Sequence, residues 1–237
     1  MSAALERALA PVRRLAVALA DLALPGACVA CERPLGAARG PACALCWSRV
    51  APLPAPCCAR CGHPCFDAPP EAPCRWCPVL PPYVRAVRSA AWMRRGGTAA
   101  ALVHALKYDG WPALADGMAA RMAACRWPAD VVRERACLVP VPLAPVRARE
   151  RGYNQADALA RALAPRWGIP VAPALRRPRG SASQTRLTPG ERQANVTRAF
   201  TVDPAVIRAC VGAHVVLVDD VVTTASTLLA CAAALVD

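Results

Sequence analysis

From about residue 80 onward, apolar residues recur at strand or helix spacing, and over residues 28–77 little of that periodicity is left. Val215 to Val218 form a short apolar run that fits a buried parallel strand. Two adjacent carboxylates, Asp219 and Asp220, stand where that strand ends. Small and hydroxyl-bearing residues follow from Thr223 to Thr227, and then the helix-forming run Leu228 to Ala234. Residues 98–107 read as a helix that closes at Gly110, and residues 112–126 and 155–167 as two more. Cys137 to Pro142 read as a strand entering a proline-rigid turn. Tyr83 to Trp92 and residues 170–176 read as further strands, and His214 as a strand-edge residue. Residues 177–198 are polar and basic, and predict either a mobile lid or an unstructured segment.

The cysteines change the picture for the aperiodic part. Ten of fourteen lie between Cys28 and Cys77. They include four C-x-x-C pairs: Cys28/Cys31, Cys43/Cys46, Cys58/Cys61 and Cys74/Cys77. Two such turns bring four sulfurs around one ion, so the block predicts two structural Zn²⁺ sites. Cys57, His63 and Cys65 compete as ligands for the second site. Four thiolates close a coordination shell, which excludes a catalytic role for either ion. The remaining cysteines, Cys125, Cys137, Cys210 and Cys231, stand singly in apolar surroundings as small hydrophobes. This usage suits a reducing compartment and points to the cytoplasm.

Charge adds a partner class. The formal net charge is +13, and eight thiolates on two dications lower it by four, to about +9. A basic chain favours nucleic acid, nucleotides or anionic lipid. Lys107 is the only lysine among 29 basic residues, which singles out its compact ammonium. Arg147, Arg149 and Arg151 crowd the approach to Gly152-Tyr153-Asn154-Gln155, where arginines at a strand-to-helix turn can clamp a pyrophosphate. Residues 3–23 read as an amphipathic helix packing on the protein, with weak membrane contact as the lesser alternative. No run of 18 apolar residues spans a bilayer.

The stretch 215–227 resembles the 5-phosphoribosyl-1-pyrophosphate (PRPP) motif of type I phosphoribosyltransferases. A strand, an acidic pair, a small-residue loop and a helix start place N–H groups and hydroxyls where a phosphate binds readily. The resemblance implies that Asp219 and Asp220 contact the ribose hydroxyls. It implies that Thr223, Thr224, Ala225, Ser226 and Thr227 wrap the 5-phosphate, with Mg²⁺ accompanying the ligand. Ala225 stands where such loops usually carry Gly, which predicts a reshaped loop or a lower phosphate affinity.

The order of motifs extends the likeness. Cys28–Cys77, Leu106-Lys107-Tyr108, Val139-Pro140-Val141-Pro142, Arg151 to Gln155, Gln184 through Arg192, Asn195, Phe200 and the 215–227 motif together resemble the ComF family, which includes GntX-like proteins. The resemblance implies an α/β fold, with a type I phosphoribosyltransferase-like parallel sheet and helices on both faces. A small Cys-rich zinc-binding domain would precede it. The expected divisions are an N-terminal helix over 1–27, the zinc-binding domain over 28–80 and the phosphoribosyltransferase-like domain over 81–237. Relatives continue past the last helix with another strand, so an edge strand is expected to be missing here.

In function, the resemblance implies a PRPP-binding protein that supports uptake or processing of transforming DNA in natural competence. Its partners would be PRPP or a related sugar phosphate, single-stranded DNA and competence-machinery proteins. Two alternatives stand beside it. One is an active phosphoribosyltransferase of unknown acceptor, with Asp219 and Asp220 stabilising charge at the ribose and Lys107 and Arg151 on the leaving pyrophosphate. The other is a zinc-ribbon module, binding nucleic acid or protein, with an inactive transferase core. Two Phe, three Tyr and six Trp leave few stacking platforms for bases, and no base-recognition pocket is legible.

Overall fold

The computed structural model describes residues 26–36, 40–65, 74–178 and 200–236. The N-terminal helix expected over 3–23 lies outside them, as does the basic segment expected as a lid from residue 179 onward, including Gln184, Arg192 and Asn195.

The sheet is small and parallel. Strand β1 (Arg135–Pro140) is followed by helices α5 (Pro145–Arg151) and α6 (Gln155–Trp167), which return the chain to lie beside it. The N–H of Leu138 donates to Pro170 O at 2.9 Å, and the N–H of Ala172 donates to Leu138 O at 2.8 Å. On its other side β1 pairs in parallel with β4 (His214–Val218), with Leu138 opposite Val216 and Pro140 opposite Val218. A parallel pair requires a crossover of a dozen or more residues, and α6 supplies it on the 170–172 side. Of the strand expected over 170–176, only the bridge at Val171 and the two-residue β2 (Leu175–Arg176) form; β2 pairs antiparallel with β3 (Thr201–Val202). Among the described residues β4 pairs with β1 alone.

Strand period two sends alternate side chains to two cores. Leu138, Val216 and Val218 enter one core, shared with Leu102 and Leu106 of α2 (Thr98–Tyr108), Leu114 and Ala119 of α3 (Leu114–Ala123), and Leu159 and Leu163 of α6. Cys137, Val139 and Val141 enter the other, with Phe200, Cys210, and Ala230 and Cys231 of α8 (Ser226–Val236). Helices therefore cover both faces. Helix α6 runs over the span its spacing predicts because Ala156, Leu159, Ala160 and Leu163 fall on one stripe. Its start is fixed by Asn154, whose Oδ1 accepts the Ala156 N–H at 3.0 Å. Besides the short helix in the cysteine-rich region, three short helices among the described residues were not legible in the pattern: α4 (Ala129–Glu134), α5, and α7 (Pro204–Ile207). Each is opened by a proline at or just before its first turn.

Tyr83 to Trp92 forms no strand, which corrects the expectation for that run. Its backbone groups are taken up elsewhere. The Val87 N–H donates to Arg60 O and the Trp92 N–H to Ala51 O, while the Arg60 guanidinium donates to the carbonyls of Leu80, Pro81 and Val84. The segment is thereby tied to the cysteine-rich region rather than to the sheet.

The cysteine-rich region is also joined to the first core. Cys28, Ala42 and Cys46 are buried with Leu102, Leu106 and Leu114. Trp47, on the short helix α1 (Ala44–Ser48), lies over Gly117 of α3, and Arg121 stacks on its ring at 4.7 Å while donating to its carbonyl. Glycine inside a helix costs about 1 kcal/mol relative to alanine. Here it is required: a Cβ at 117 would come within 2.9 Å of the Trp47 ring. Gly117→Ala should therefore lower stability despite its better helix propensity, because overpacking at a rigid contact costs about 1–3 kcal/mol. Urea denaturation would measure it, and a variant at least as stable as the parent would show that the contact does not constrain the fold.

Candidate functional site

Two groups of four cysteines converge. The sulfurs of Cys28, Cys31, Cys43 and Cys46 lie within 4.8 Å of one another, and so do those of Cys58, Cys61, Cys74 and Cys77. The two sites are built alike. The Cys28 N–H donates to Arg33 O, and the Cys58 N–H to His63 O, each at 2.9 Å. The turn after each pair needs a left-handed residue: Gly62 has φ +69° and Glu32 has φ +60°. Two of the three competing ligands of the second site point elsewhere, while Cys65 Sγ donates to His63 O at 3.5 Å and stays within hydrogen-bonding reach of Cys74. His63 Nδ1 faces Pro64 O at 2.8 Å and its ring lies 4.9 Å from that of Trp76, while Cys57 Sγ donates to Pro54 O.

The thiols are poised unequally. Burial opposes ionisation of Cys28, but N–H groups of Cys43, Ala30 and Cys31 aimed at its sulfur bring its pKa down to about 6. Cys58 reaches about 6 in the same way, against burial, through Cys61 and Arg60. Burial and then the neighbouring thiols push Cys46 well up, and burial pushes Cys61 up as well. A dication at the centre of four sulfurs favours the ionised form of them all, so both quartets fit a structural zinc ion.

A polar network crosses the other end of the first core. Asp219 and Asp220 follow β4 directly, at the edge where both cores end. The Asp220 side chain is 4% exposed, and its Oδ2 pairs with Lys107 Nζ at 2.5 Å. Its Oδ1 accepts from Gln155 Nε2 at 3.3 Å. Gln155 is itself buried and accepts from Arg151 at 2.9 Å through Oε1. The Arg151 guanidinium stacks on the Tyr108 ring at 4.8 Å. Tyr153 donates to Leu106 O, which holds the α5–α6 junction against the last turn of α2. Thus Lys107, Arg151 and Asp220, expected in one site from separate motifs, do meet. Gln155 and Tyr108 stand in motifs named from sequence, Arg151 to Gln155 and Leu106-Lys107-Tyr108, but neither was given a role in the site.

Asp219 differs from its neighbour. Burial, then the Asp220 carboxylate, push its pKa up to about 7, against its bond from the Asp220 N–H at 2.8 Å and the charge of Lys107. The loop that follows is more open. Thr223, Thr224, Ser226 and Thr227 are exposed, with Thr224 Oγ1 and Ser226 Oγ 2.8 Å apart. Ala225 adopts φ +59° and its carbonyl accepts the Leu229 N–H at 2.9 Å, so the loop keeps the left-handed turn despite the Cβ. Inward of the acid pair opens a cavity of about 690 Å³, bounded by residues 219–225, α2, α3 and the second cysteine quartet.

Protein purified without chelator should carry about two zinc ions per chain by elemental analysis. Cys58→Ser should lose one and keep the other, since the first quartet shares no ligand with the second. Less than half an ion per chain would refute the assignment.

The double zinc ribbon domain family matches residues 19–78. No solved structure matches the chain. The chain is 31% identical over 217 residues to the DNA utilization protein YhgH of Escherichia coli O6:H1, covering 87% of this chain and 89% of that one. It is 32% identical, with the same coverage, to the proteins of that name from Salmonella typhimurium over 222 residues and from Escherichia coli K12 over 215. At that identity over that length, the chain belongs to the family of the DNA utilization protein YhgH.

Proposed function

We propose that the chain is a cytoplasmic protein of DNA uptake or processing that binds PRPP, or a closely related sugar phosphate, between Asp219 and Thr227. The observation that carries this reading is the buried network Lys107–Asp220–Gln155–Arg151, set beside an open hydroxyl-bearing loop at a helix start. Two adjacent carboxylates suit vicinal hydroxyls. A loop of N–H and hydroxyl groups at the N-terminus of the eleven-residue α8 suits a phosphate. Lys107, paired with Asp220, and Arg151, joined to it through Gln155, add the cations a pyrophosphate would need.

The roles divide by environment. Asp220, held by Lys107 and Gln155, is oriented before any ligand arrives. Asp219, with its raised pKa, changes protonation near neutrality and can adapt to the hydroxyl it meets. Magnesium would supply charge neutralisation at the pyrophosphate. Transfer of the ribosyl group to an acceptor is the stronger form of this reading, favoured by the cavity that opens beside the acid pair. The names of the relatives support a DNA-related role, and the charge of +13 supports contact with a nucleic-acid backbone. Arg147 and Arg149 on α5 are exposed and belong to that basic surface.

Calorimetric titration with PRPP and magnesium tests the first claim. Asp219→Asn combined with Asp220→Asn should weaken binding at least tenfold, about 1.4 kcal/mol, while circular dichroism stays native. Ala225→Gly should strengthen it by relieving the left-handed Cβ. Unchanged affinity in the folded double variant would remove PRPP from this site.

Filter binding of single-stranded DNA across a salt series tests the second. Affinity should fall with a log–log slope of about −0.7 per phosphate neutralised, and Arg147→Ala with Arg149→Ala should flatten it. A flat profile in the parent protein would take DNA contact away and leave the sugar-phosphate reading alone.

A further inference from the structure

Apart from the acid pair and the two zinc quartets, the fold brings together two cysteines that stand singly in the sequence. Cys137 lies on β1, and Cys210 ends the 3₁₀ turn Arg208–Cys210 that leads toward β4. They are 73 positions apart, yet Cys210 Sγ faces Cys137 Sγ at 2.6 Å, and both are buried in the second core. Bonded sulfurs lie about 2.05 Å apart. Joining these two therefore asks for a small adjustment of side chains and for no displacement of a strand or helix. Cys231 shares that core and is the rival partner.

The two thiols differ in access. Burial, then the neighbouring Cys210 thiol, push the Cys137 pKa up to about 12, which leaves it unreactive as it stands. Its strand is also paired on both sides, with β4 and with Val171. Cys210 belongs to a short turn at the surface, where Arg208, Ala209, Val211 and Gly212 are all exposed. Such a turn opens locally more readily than a paired strand. A reagent thus reaches Cys210 first, and Cys137 is placed to attack what forms there.

We infer that Cys137 and Cys210 form a reversible disulfide, with a small-molecule disulfide such as oxidised glutathione as the oxidant, and that this bond locks β1 to the turn that enters β4. The Cys210 thiolate attacks one glutathione sulfur and a glutathione thiolate leaves. The Cys137 thiolate then attacks Cys210 Sγ and the second glutathione thiolate leaves. The two protein thiols give up two protons and two electrons, and one small disulfide becomes two thiols. The bond closes a loop that carries α5 and α6, and with them Arg151 and Gln155. Cross-linking so long a loop restricts the unfolded chain strongly. A reducing compartment keeps the pair open, so the lock follows the local thiol–disulfide balance.

The test equilibrates the zinc-loaded full chain with mixtures of reduced and oxidised glutathione, then alkylates it and maps its peptides while zinc content is followed. A Cys137–Cys210 cross-link should appear with zinc retained, leave the chain lighter by two hydrogens and reverse with dithiothreitol. The cross-linked chain should unfold at higher urea. Cys137→Ala should trap glutathione on Cys210, and Cys210→Ala should leave Cys137 unmodified. If circular dichroism shows that Cys137→Ala does not fold, the parent map and Cys210→Ala decide. Both thiols free while the exposed Cys57 carries glutathione would refute the bond. So would a link to Cys231 in its place, or a cross-link that appears only once zinc is lost. A cross-linked chain no more resistant to urea overturns the lock.

Discussion

A carboxylate buried at the end of a strand is the constraint around which the domain is arranged. Asp220 is almost wholly removed from water, and an unpaired charge there would be expensive. Lys107 and Gln155 compensate it from different elements, the last turn of α2 and the first residue of α6. Both elements must therefore end or begin at the strand end, at hydrogen-bonding distance. Arg151 extends the chain of contacts to α5, and Tyr108 closes it back to α2. The site is the place where these elements are obliged to meet.

The sheet gives this meeting point its rigidity. Leu138, Val216 and Val218 pack against α2, α3 and α6, while Cys137, Val139 and Val141 pack toward α8. With both faces covered, the end of β4 has little freedom, and the loop that leaves it starts from a defined position. The loop itself is mostly exposed and holds Ala225 in a left-handed conformation. Binding sites of α/β sheets commonly lie beyond the carboxyl ends of parallel strands.

The zinc-binding region shares this frame. Cys28 and Cys46 are part of the same core as Leu102 and Leu106, and Trp47 rests where α3 carries no side chain. Arg60 and Arg88 tie the second quartet to the 80–92 segment through carbonyls. The turns that carry the second quartet also supply part of the wall of the cavity beside Asp219.

Local pattern alone determined much of this. Four C-x-x-C pairs specify two quartets because each pair needs only a tight turn, and the Val215–Val218 run with its acidic pair marks a strand end because burial and charge change within two residues. The span of α6 follows from one apolar stripe and one cap. Other features were decided only by tertiary structure. Tyr83 to Trp92 has strand-like composition, yet its hydrogen bonds go to Arg60 and Ala51, and composition does not name a partner. Gln155 is an ordinary helix residue until Asp220, 65 positions away, is brought to its amide. The cavity between Trp76 and Asp219 was invisible for the same reason: its walls come from segments far apart in the chain, and only packing makes them neighbours.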